Sequence, residues 1–448
     1  MTFCCIIENM KYSRYNMILP CQNKNILFNT LTGECFIVNE DEKKAIEEEN
    51  VNLTNKELYQ DFLEKKVIVE DDFDELKIFE YFHNKSKFNY NCLIYTVLLT
   101  WACNLKCVYC YEGAGENRHF SMNKEIADRV IKFMERDAED KRPKFISIML
   151  FGGEPLVNFP IGKYILEKMS TFCKEHNIIL VSAIVTNGTL ITDDIIKTLI
   201  ENNCKYVQIT LDGPPEIHNQ RRVAKNGKET FDVIIDNLIK LRSYKNQLPV
   251  VIRVNVDKNN IREIPALMKI LREKGLTDFN IDFGIVHGGT ESCTSYESNC
   301  YVEDEVGNLL ENLWKEAAKV GFNSKVKLMR KWTYCGLNCD NNYTISPEGE
   351  VYKCWEHAGE PEHLMGTIDE KGEIENQTYK FYEWMTRNPL DAKECRECVY
   401  LPACGGGCGA ISYNETNSYT GKGCFKIKGC IEKQVINYVS EILKKDIK

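Results

Sequence analysis

The chain has 448 residues, 43% of them hydrophobic and 27% charged, which is the composition of a folded protein with two or three domains. Its formal net charge of −9 gives no support to nonspecific nucleic-acid binding, which relies on basic surface. No apolar stretch approaches the roughly 18 residues that a membrane-spanning helix needs, and the N-terminal sequence lacks a signal-peptide pattern. We therefore expect a cytoplasmic protein with neither a membrane nor a nucleic acid as its partner.

Residues 1–88 predict a small α+β module. The segment "NILFNTLTGECFIVNEDEKKAIEE" indicates two strands, joined by a turn at Thr32 and Gly33 and followed by a helix. A charged stretch then leads to a segment of different character.

Residues 89–290 alternate between strands and helices. Six near-continuous apolar runs are typical of parallel strands that are covered on both faces. These runs are 92–100, 146–153, 178–188, 206–213, 250–257 and 279–286. The segments between them repeat apolar residues every three or four positions, as helices do. Right-handed crossovers would join the six units into an α/β fold, a partial (β/α)6 barrel, with ligands at the carboxyl ends of its strands.

Residues 291–448 lose this alternation, and turns and cysteines dominate them until a final helix. That helix carries one predicted apolar stripe, formed by Ile431, Val435, Val439 and Ile442.

Cysteine is the unusual residue of this chain, with 21 copies. In a reducing cytosol, clustered cysteines more often bind metal than form disulfides, and an odd number leaves at least one thiol out of any pairing. We therefore favour metal sites over a disulfide scaffold.

The first cluster follows the first barrel strand, where Cys103, Cys107 and Cys110 have the spacing C-x3-C-x2-C. Three thiolates on one loop can hold three corners of a [4Fe-4S] cubane and leave the fourth iron open. A zinc site would need a fourth ligand, for which His119 is a candidate.

This loop and the motifs after it resemble the radical S-adenosylmethionine (SAM) enzymes. The segments "GGEP" (152–155), "TNGT" (186–189), "ITLDGPPEIHNQRR" (209–222) and "RVNVDKNN" (253–260) stand at successive strand ends in the family's order. The resemblance implies a [4Fe-4S] cluster on the three cysteines, with SAM bound to its open iron. It also implies that Gly152, Gly153 and Glu154 meet the methionine amino group. By the same resemblance Thr210 and Arg222 contact the ribose and the carboxylate, and Tyr109 contacts the adenine.

The family's chemistry is specific. One electron, from a reductant such as a flavodoxin or ferredoxin, cleaves SAM to a 5′-deoxyadenosyl radical that abstracts hydrogen from an unactivated C–H bond. The protein orients the substrate and excludes water.

The cysteines of the tail resemble the SPASM extension of these enzymes, which holds two auxiliary [4Fe-4S] clusters. The resemblance implies one auxiliary cluster on Cys335, Cys339, Cys354 and Cys408. It implies the other on Cys395, Cys398, Cys404 and Cys424. Cys430 is an alternative last ligand, and an open iron on the first auxiliary cluster is a further possibility. Two zinc sites remain an alternative, because thiolates alone do not distinguish the metals.

One position departs from the related anaerobic sulfatase-maturing enzymes, which place an aspartate, a proposed base, directly after the third cysteine of this tail. Trp355 stands there in this chain, and Glu356 and His357 follow it as candidate bases.

Taken together, the resemblance implies an oxidoreductase that abstracts hydrogen from a ribosomally made precursor peptide or protein, with capture by a cysteine thiol as a thioether cross-link. The N-terminal module resembles leader-peptide-binding elements, and a structural cap is the alternative. Other functions are protein maturation, peptide epimerisation with Cys300 or Cys293 as hydrogen donor, and a non-catalytic metal-binding adaptor.

Overall fold

The structure is a computed structural model that describes residues 9–21, 23–50, 56–113, 118–287, 296–322 and 330–445. Cys293, one of the two candidate hydrogen donors, lies outside the described residues. Within these ranges no helix combines the length and the apolar character needed to cross a bilayer.

The N-terminal module is built on an antiparallel sheet of three strands in the order β2–β3–β4. Its strands are β1 Met10–Tyr12, β2 Asn16–Cys21, β3 Lys24–Asn29, β4 Cys35–Val38 and β5 Ile68–Glu70. Its helices are α1 Glu40–Glu47, α2 Lys56–Glu64 and α3 Glu75–Lys87. The predicted strand pair corresponds to β3 and β4, and β2 adds a strand that the sequence interpretation did not include. A capping box between Asn39 and Glu42 starts α1 where the prediction placed a helix.

Six parallel strands form the central sheet in the order β13–β12–β10–β9–β8–β6, which confirms the predicted α/β fold. The strands of this part are β6 Cys92–Leu98, β7 Leu105–Cys107, β8 Phe145–Phe151, β9 Ile179–Thr186, β10 Cys204–Thr210, β11 Arg222–Ala224, β12 Val250–Val256 and β13 Asn280–Ile285. The helices are α4 Lys124–Lys141, α5 Phe159–Glu175, α6 Asp193–Glu201, α7 Pro215–Arg221, α8 Phe231–Arg242 and α9 Ile264–Glu273.

Side chains alternate along these strands between the helix layer and the barrel interior. On β8, Ile146, Ile148 and Leu150 are fully buried in the main hydrophobic core. The intervening Met149 and Phe151 line an internal cavity instead. The alternation thus separates residues that hold the fold together from residues that can meet a ligand.

The C-terminal part extends the same sheet, because its first strand pairs in parallel with β6. Its strands are β14 Asn342–Ile345, β15 Glu350–Tyr352, β16 Gly366–Ile368 and β17 Ile374–Glu375. Its helices are α10 Glu303–Val320, α11 Tyr379–Thr386, α12 Lys393–Arg396, α13 Leu401–Cys404, α14 Gly409–Thr416 and α15 Cys430–Lys445.

Two features of this part differ from the sequence interpretation. Helix α10 has 18 residues in a region where we expected turns. On α15, Val435 and Val439 are buried as predicted, but Ile442 is 41% exposed. The apolar stripe ends before Ile442, because the sheet of the N-terminal module that covers α15 contacts only the earlier positions.

Candidate active site

A cavity of about 820 Å3 lies inside the barrel and reaches the carboxyl ends of its strands. This volume is in the upper part of the range for small-molecule sites, so it can hold a nucleoside-sized cofactor beside part of a second molecule. The nine predicted site residues of the barrel all line it, namely Cys103, Cys107, Tyr109, Cys110, Gly152, Gly153, Glu154, Thr210 and Arg222.

The three-cysteine loop is fixed by a short antiparallel strand pair. Strand β7 pairs with β11, and the register places Arg222 opposite Cys107. Burial acts to lower the pKa of Arg222, but the charges of Cys107, Tyr109 and Asp212 raise it well above its ordinary value. The buried Nε of Arg222 has no hydrogen-bond partner within the described residues. A persistent cation with a vacant donor beside three thiols fits an anionic cluster or a ligand carboxylate.

Tyr109 is tied into a buried network behind the loop. Its hydroxyl donates to the Asp212 carboxylate and accepts from Arg222 Nη1 at 2.7 Å and from Asn255 Nδ2 at 3.1 Å. The guanidinium carbon of Arg221 lies 5.1 Å from the centre of the Tyr109 ring. Only the ring of Tyr109 is therefore available to the predicted adenine, because its hydroxyl is held by the protein.

Gly152 and Gly153 are required by a close approach within the chain itself. A Cβ at Gly152 would lie 2.4 Å from the Thr100 carbonyl oxygen, and one at Gly153 would lie 2.5 Å from that of Trp101. Gly153 N–H donates to the Thr100 carbonyl at 2.9 Å. The sequence interpretation attributed these glycines to ligand approach; their first role is to seat the backbone that precedes Cys103 against the end of β8.

Glu154 is fully buried and its carboxylate joins the ends of two strands. It accepts from Thr186 Oγ1 at 2.6 Å, from Asn187 N–H at 2.7 Å and from Leu156 N–H at 3.0 Å. Both carboxylate oxygens are therefore already engaged by the protein. Any contact with a methionine amino group would add to this set of bonds.

The same cavity is lined by cysteines of the first predicted auxiliary set. Cys335, Cys354 and Cys408 line it, and Cys339 does not. Burial raises the pKa of the Cys335 thiol to about 12, and the charges of Cys408 and Cys339 add to the shift, so these side chains are near neighbours. Members of two of the predicted thiol sets thus border one cavity.

The second predicted auxiliary set lies away from the cavity. Burial raises the pKa of the Cys395 thiol to about 11 and that of Cys404 to about 12, and Cys424 adds to both shifts. Cys398 acts on Cys395 in the same way. Cys430, the alternative last ligand, starts α15 within the main hydrophobic core. This placement favours Cys424.

Chemically, all eleven predicted ligands offer thiol sulfur, the donor that iron–sulfur clusters use. Within the described ranges no group of three or more His, Cys, Asp and Glu side chains is placed so that it could hold a metal ion. The donor type fits [4Fe-4S] clusters, and it fits zinc as well.

Of the two candidate bases, Glu356 is at the cavity and His357 is not. Glu356 Oε1 lies 3.4 Å from Nε2 of His287, which also lines the cavity. His357 instead stacks on His363, with ring centres 3.7 Å apart, and its Nε2 lies 3.4 Å from Asn414 Oδ1. After Cys354 the main chain forms a 3-10 turn, and the side chains of Glu356 and His357 therefore lie in different surroundings.

Two other candidates lie away from the cavity lining. His119 is exposed, and Cys300 Sγ lies 3.8 Å from the Tyr296 carbonyl oxygen. Sequence reasoning missed His287 and Lys426, which both line the cavity. The position of His287 directly after the last predicted barrel strand was a usable signal, whereas Lys426 follows no recognisable motif.

Comparisons with known proteins agree with this geometry. Residues 97–271 match the family model of the Radical SAM superfamily. The cysteine-type anaerobic sulfatase-maturating enzyme of Clostridium novyi is 28% identical over 373 residues, which cover 76% of this chain and 95% of the relative.

Solved structures share the fold. Native anSMEcpe with bound AdoMet superposes with a TM-score of 0.59 at 22% identity, covering 79% of this chain and 100% of that one. SuiB of Streptococcus suis gives a TM-score of 0.54 at 15% identity and covers 94% of this chain and 99% of its own. The chain therefore contains a radical SAM domain and is homologous to the anaerobic sulfatase-maturating enzymes.

Proposed function

We propose that this enzyme abstracts hydrogen from a ribosomally made peptide and forms a thioether cross-link with one of its cysteine thiols. The abstracted hydrogen atom would leave on 5′-deoxyadenosine, the thiol proton would pass to a base, and the remaining electron would pass to an auxiliary cluster. The observation that carries the proposal is the shared cavity. The three-cysteine loop and Arg222 line it together with Cys335, Cys354 and Cys408. A substrate in this cavity would be within reach of both sets of thiols.

The barrel residues have defined tasks in this proposal. Cys103, Cys107 and Cys110 would hold a [4Fe-4S] cluster that, with SAM, supplies the 5′-deoxyadenosyl radical when both are bound. Arg222 offers its vacant Nε–H to the cofactor carboxylate. The ring of Tyr109 offers a flat surface to the adenine.

The part of the cavity that we assign to the substrate, around Trp355 and Phe151, is largely aromatic. Trp355 takes the position of the aspartate in sulfatase-maturing enzymes, and its ring centre lies 6.0 Å from that of Phe151, beside Gly152. Such walls exclude water from a radical. Glu356, held by His287, is the carboxylate that can accept a proton from the substrate on this wall.

The N-terminal module would bind the leader of the precursor peptide. Strand β4 pairs only with β3 among the described residues, and Ile37 on it is 45% exposed. An edge of this kind can accept an added strand. A role as a cap is compatible with this, because the module also contacts the tail.

The test is coexpression with a candidate peptide encoded beside the gene, followed by mass spectrometry. A loss of two hydrogens with one fewer alkylatable thiol is expected for a thioether. A mass that is unchanged in H2O but increases in D2O, because deuterium enters at one α-carbon, would indicate an epimerase and contradict the proposal. The variant with Cys103, Cys107 and Cys110 replaced by Ala is the control and should form no 5′-deoxyadenosine.

Protein maturation is the second candidate, favoured by the sulfatase-maturating relatives. The absence of an acid at Trp355 counts against it. Incubation with a sulfatase-derived peptide separates the two, because only a maturase would convert it. A metal-binding adaptor would give no 5′-deoxyadenosine from SAM and dithionite at all.

A further inference from the structure

Three cations, Lys87 at the end of the N-terminal module and Lys353 and Arg387 in the C-terminal part, are buried without an ion pair to a carboxylate among the described residues. Lys87, Lys353 and Arg387 are 4%, 1% and 4% exposed. Their hydrogen bonds within the described part of the chain go to main-chain carbonyl oxygens only. A buried cation is strongly unfavourable unless an anion compensates it. The arrangement therefore indicates that a buried anion belongs in their midst.

Their bonds place all three cations beside the first auxiliary set. Lys353 precedes Cys354 in sequence, and its Nζ donates to the Cys339 carbonyl at 2.6 Å. Lys87 Nζ donates to the Arg387 carbonyl at 2.8 Å, and the Lys87 carbonyl accepts from the N–H of the residue after Cys339 at 2.9 Å.

Arg387 stands between the two auxiliary sets. Its Nη2 donates to the carbonyl of Gly406, between Cys404 and Cys408 in sequence. Asp340, the carboxylate that acts most on Lys353, accepts the Tyr90 hydroxyl at 2.7 Å instead of pairing with the lysine. Two other carboxylates are close: Glu356, which is paired with His287, and Asp391, which acts on Lys87 but forms no ion pair with it among the described residues.

The second set shares only part of this environment. Arg387 acts on both sets, first on Cys395 of the second set and then on Cys408, Cys335 and Cys404. Lys87 and Lys353 act on Cys339, a member of the first set. The charge of the two lysines, unlike that of Arg387, thus belongs to the first set.

We propose that Lys87 and Lys353 compensate the charge of the first auxiliary cluster and raise its reduction potential above that of the second. The inference rests on the proposed function and on the two auxiliary clusters that the resemblance of the tail implies. A [4Fe-4S] cluster with four thiolates is anionic and gains a further negative charge on reduction. Fixed cations stabilise the reduced form more than the oxidised form, because the Coulomb energy grows with the charge. The more easily reduced auxiliary cluster is then the one at the substrate.

Redox titration followed by EPR tests the proposal. The protein carries Ala at Cys103, Cys107 and Cys110, so that only auxiliary clusters contribute, and it is compared with the same protein bearing Lys87→Met or Lys353→Met. One midpoint potential should move to more negative values, and the other should stay in place. Lys353→Arg should restore most of the shift. Lys393→Met is the control, because Lys393 is 82% exposed on the helix that carries Cys395.

Iron content distinguishes a failure of the inference alone from the absence of the auxiliary clusters on which it rests. About eight iron atoms in the triple-alanine protein support both auxiliary clusters, and iron near zero contradicts that part of the proposed function and the inference with it. Two unmoved potentials at full iron would overturn the inference alone. If the methionine variants lose iron, retention by Lys87→Arg and Lys353→Arg supports charge compensation, and loss in all four overturns it.

Discussion

Glu154 shows how one buried residue joins cofactor site and fold. Its carboxylate only accepts hydrogen bonds, and it takes three, from Leu156, Thr186 and Asn187. In Glu154→Gln an amide NH2 must face a donor, which leaves a buried group unsatisfied. We expect the free energy of unfolding to fall by about 2–4 kcal/mol, since bonds to a charged group contribute about 1.5–3 kcal/mol each.

Urea unfolding of the two proteins measures this difference. Glu125→Gln is the matched control, because Glu125 is 70% exposed and forms a surface ion pair of small energetic value. A loss below about 0.5 kcal/mol in Glu154→Gln, comparable with an ordinary surface substitution, would contradict the structural role.

His218 makes stability depend on pH. Its Nδ1 accepts from the Asp212 N–H at 3.3 Å, so Nε2 carries the proton and faces Thr230 Oγ1 at 3.2 Å. Burial, with the charges of Arg222 and Arg221, lowers the pKa of His218 to about 3. The unfolded chain, with a pKa near 6.5, therefore binds more protons in mild acid, and stability falls as the pH drops below that value.

From pH 7 to pH 5.5 the contribution of His218 to this loss is about 1.3 kcal/mol. His218→Gln keeps a polar side chain but removes the titration. Unfolding free energies at the two pH values should therefore differ less in the variant than in the parent. Equal differences in the two proteins would mean that His218 is already solvated in the fold.

At the scale of elements, the barrel was predictable and much of the tail was not. Each barrel strand is a long apolar run in the sequence. Each of these runs forms a strand in the structure, with its ends shifted by a few residues. Helix α10 carries buried Val306, Leu310, Leu313 and Ala317 at helical spacing, a signal that the sequence interpretation passed over among the cysteines. The role of Gly153 depends on a backbone contact with Trp101, which no local pattern encodes.

Helix α15 provides a test of how elements depend on each other. Val435 is fully buried against Leu19 and Phe28 of the N-terminal sheet, in a cluster that includes Cys404. Val435→Asp would bury a carboxylate there, at a cost of about 3 kcal/mol or more. We expect the module to detach from the tail and the loop of Cys404 to lose its packing.

Limited proteolysis and iron analysis measure both effects. The variant should be cleaved faster between module and barrel and should bind less iron than the parent protein. Ile442→Asp on the same helix is the control, because Ile442 is 41% exposed and should tolerate the charge. If Val435→Asp matched this control, α15 would not couple the module to the cysteine loop.

For the whole molecule, the sequence indicates which cysteines belong together but not what they face. Spacing groups thiols only within a short loop, whereas Cys354 and Cys408 come from distant segments and meet at the cavity. The parallel pairing of β14 with β6 brings the tail to the open side of the barrel. No local sequence pattern indicates a ten-stranded sheet that joins barrel and tail. The cavity that the two sets of cysteines share is therefore evident only from the folded structure.

The three cysteine sets share no ligand, so their loss should be additive even though the two auxiliary sets interleave in the sequence. We expect about twelve iron atoms per chain in the reconstituted protein and about four fewer for each set replaced by Ala. Iron and labile sulfide analysis, with zinc measured in parallel, checks the numbers. Removal of Cys395, Cys398, Cys404 and Cys424 should leave the other two clusters in place. Zinc near two atoms per chain with iron near four would instead assign the tail to zinc, and loss of all iron from any one replacement would show that the sets assemble as a unit.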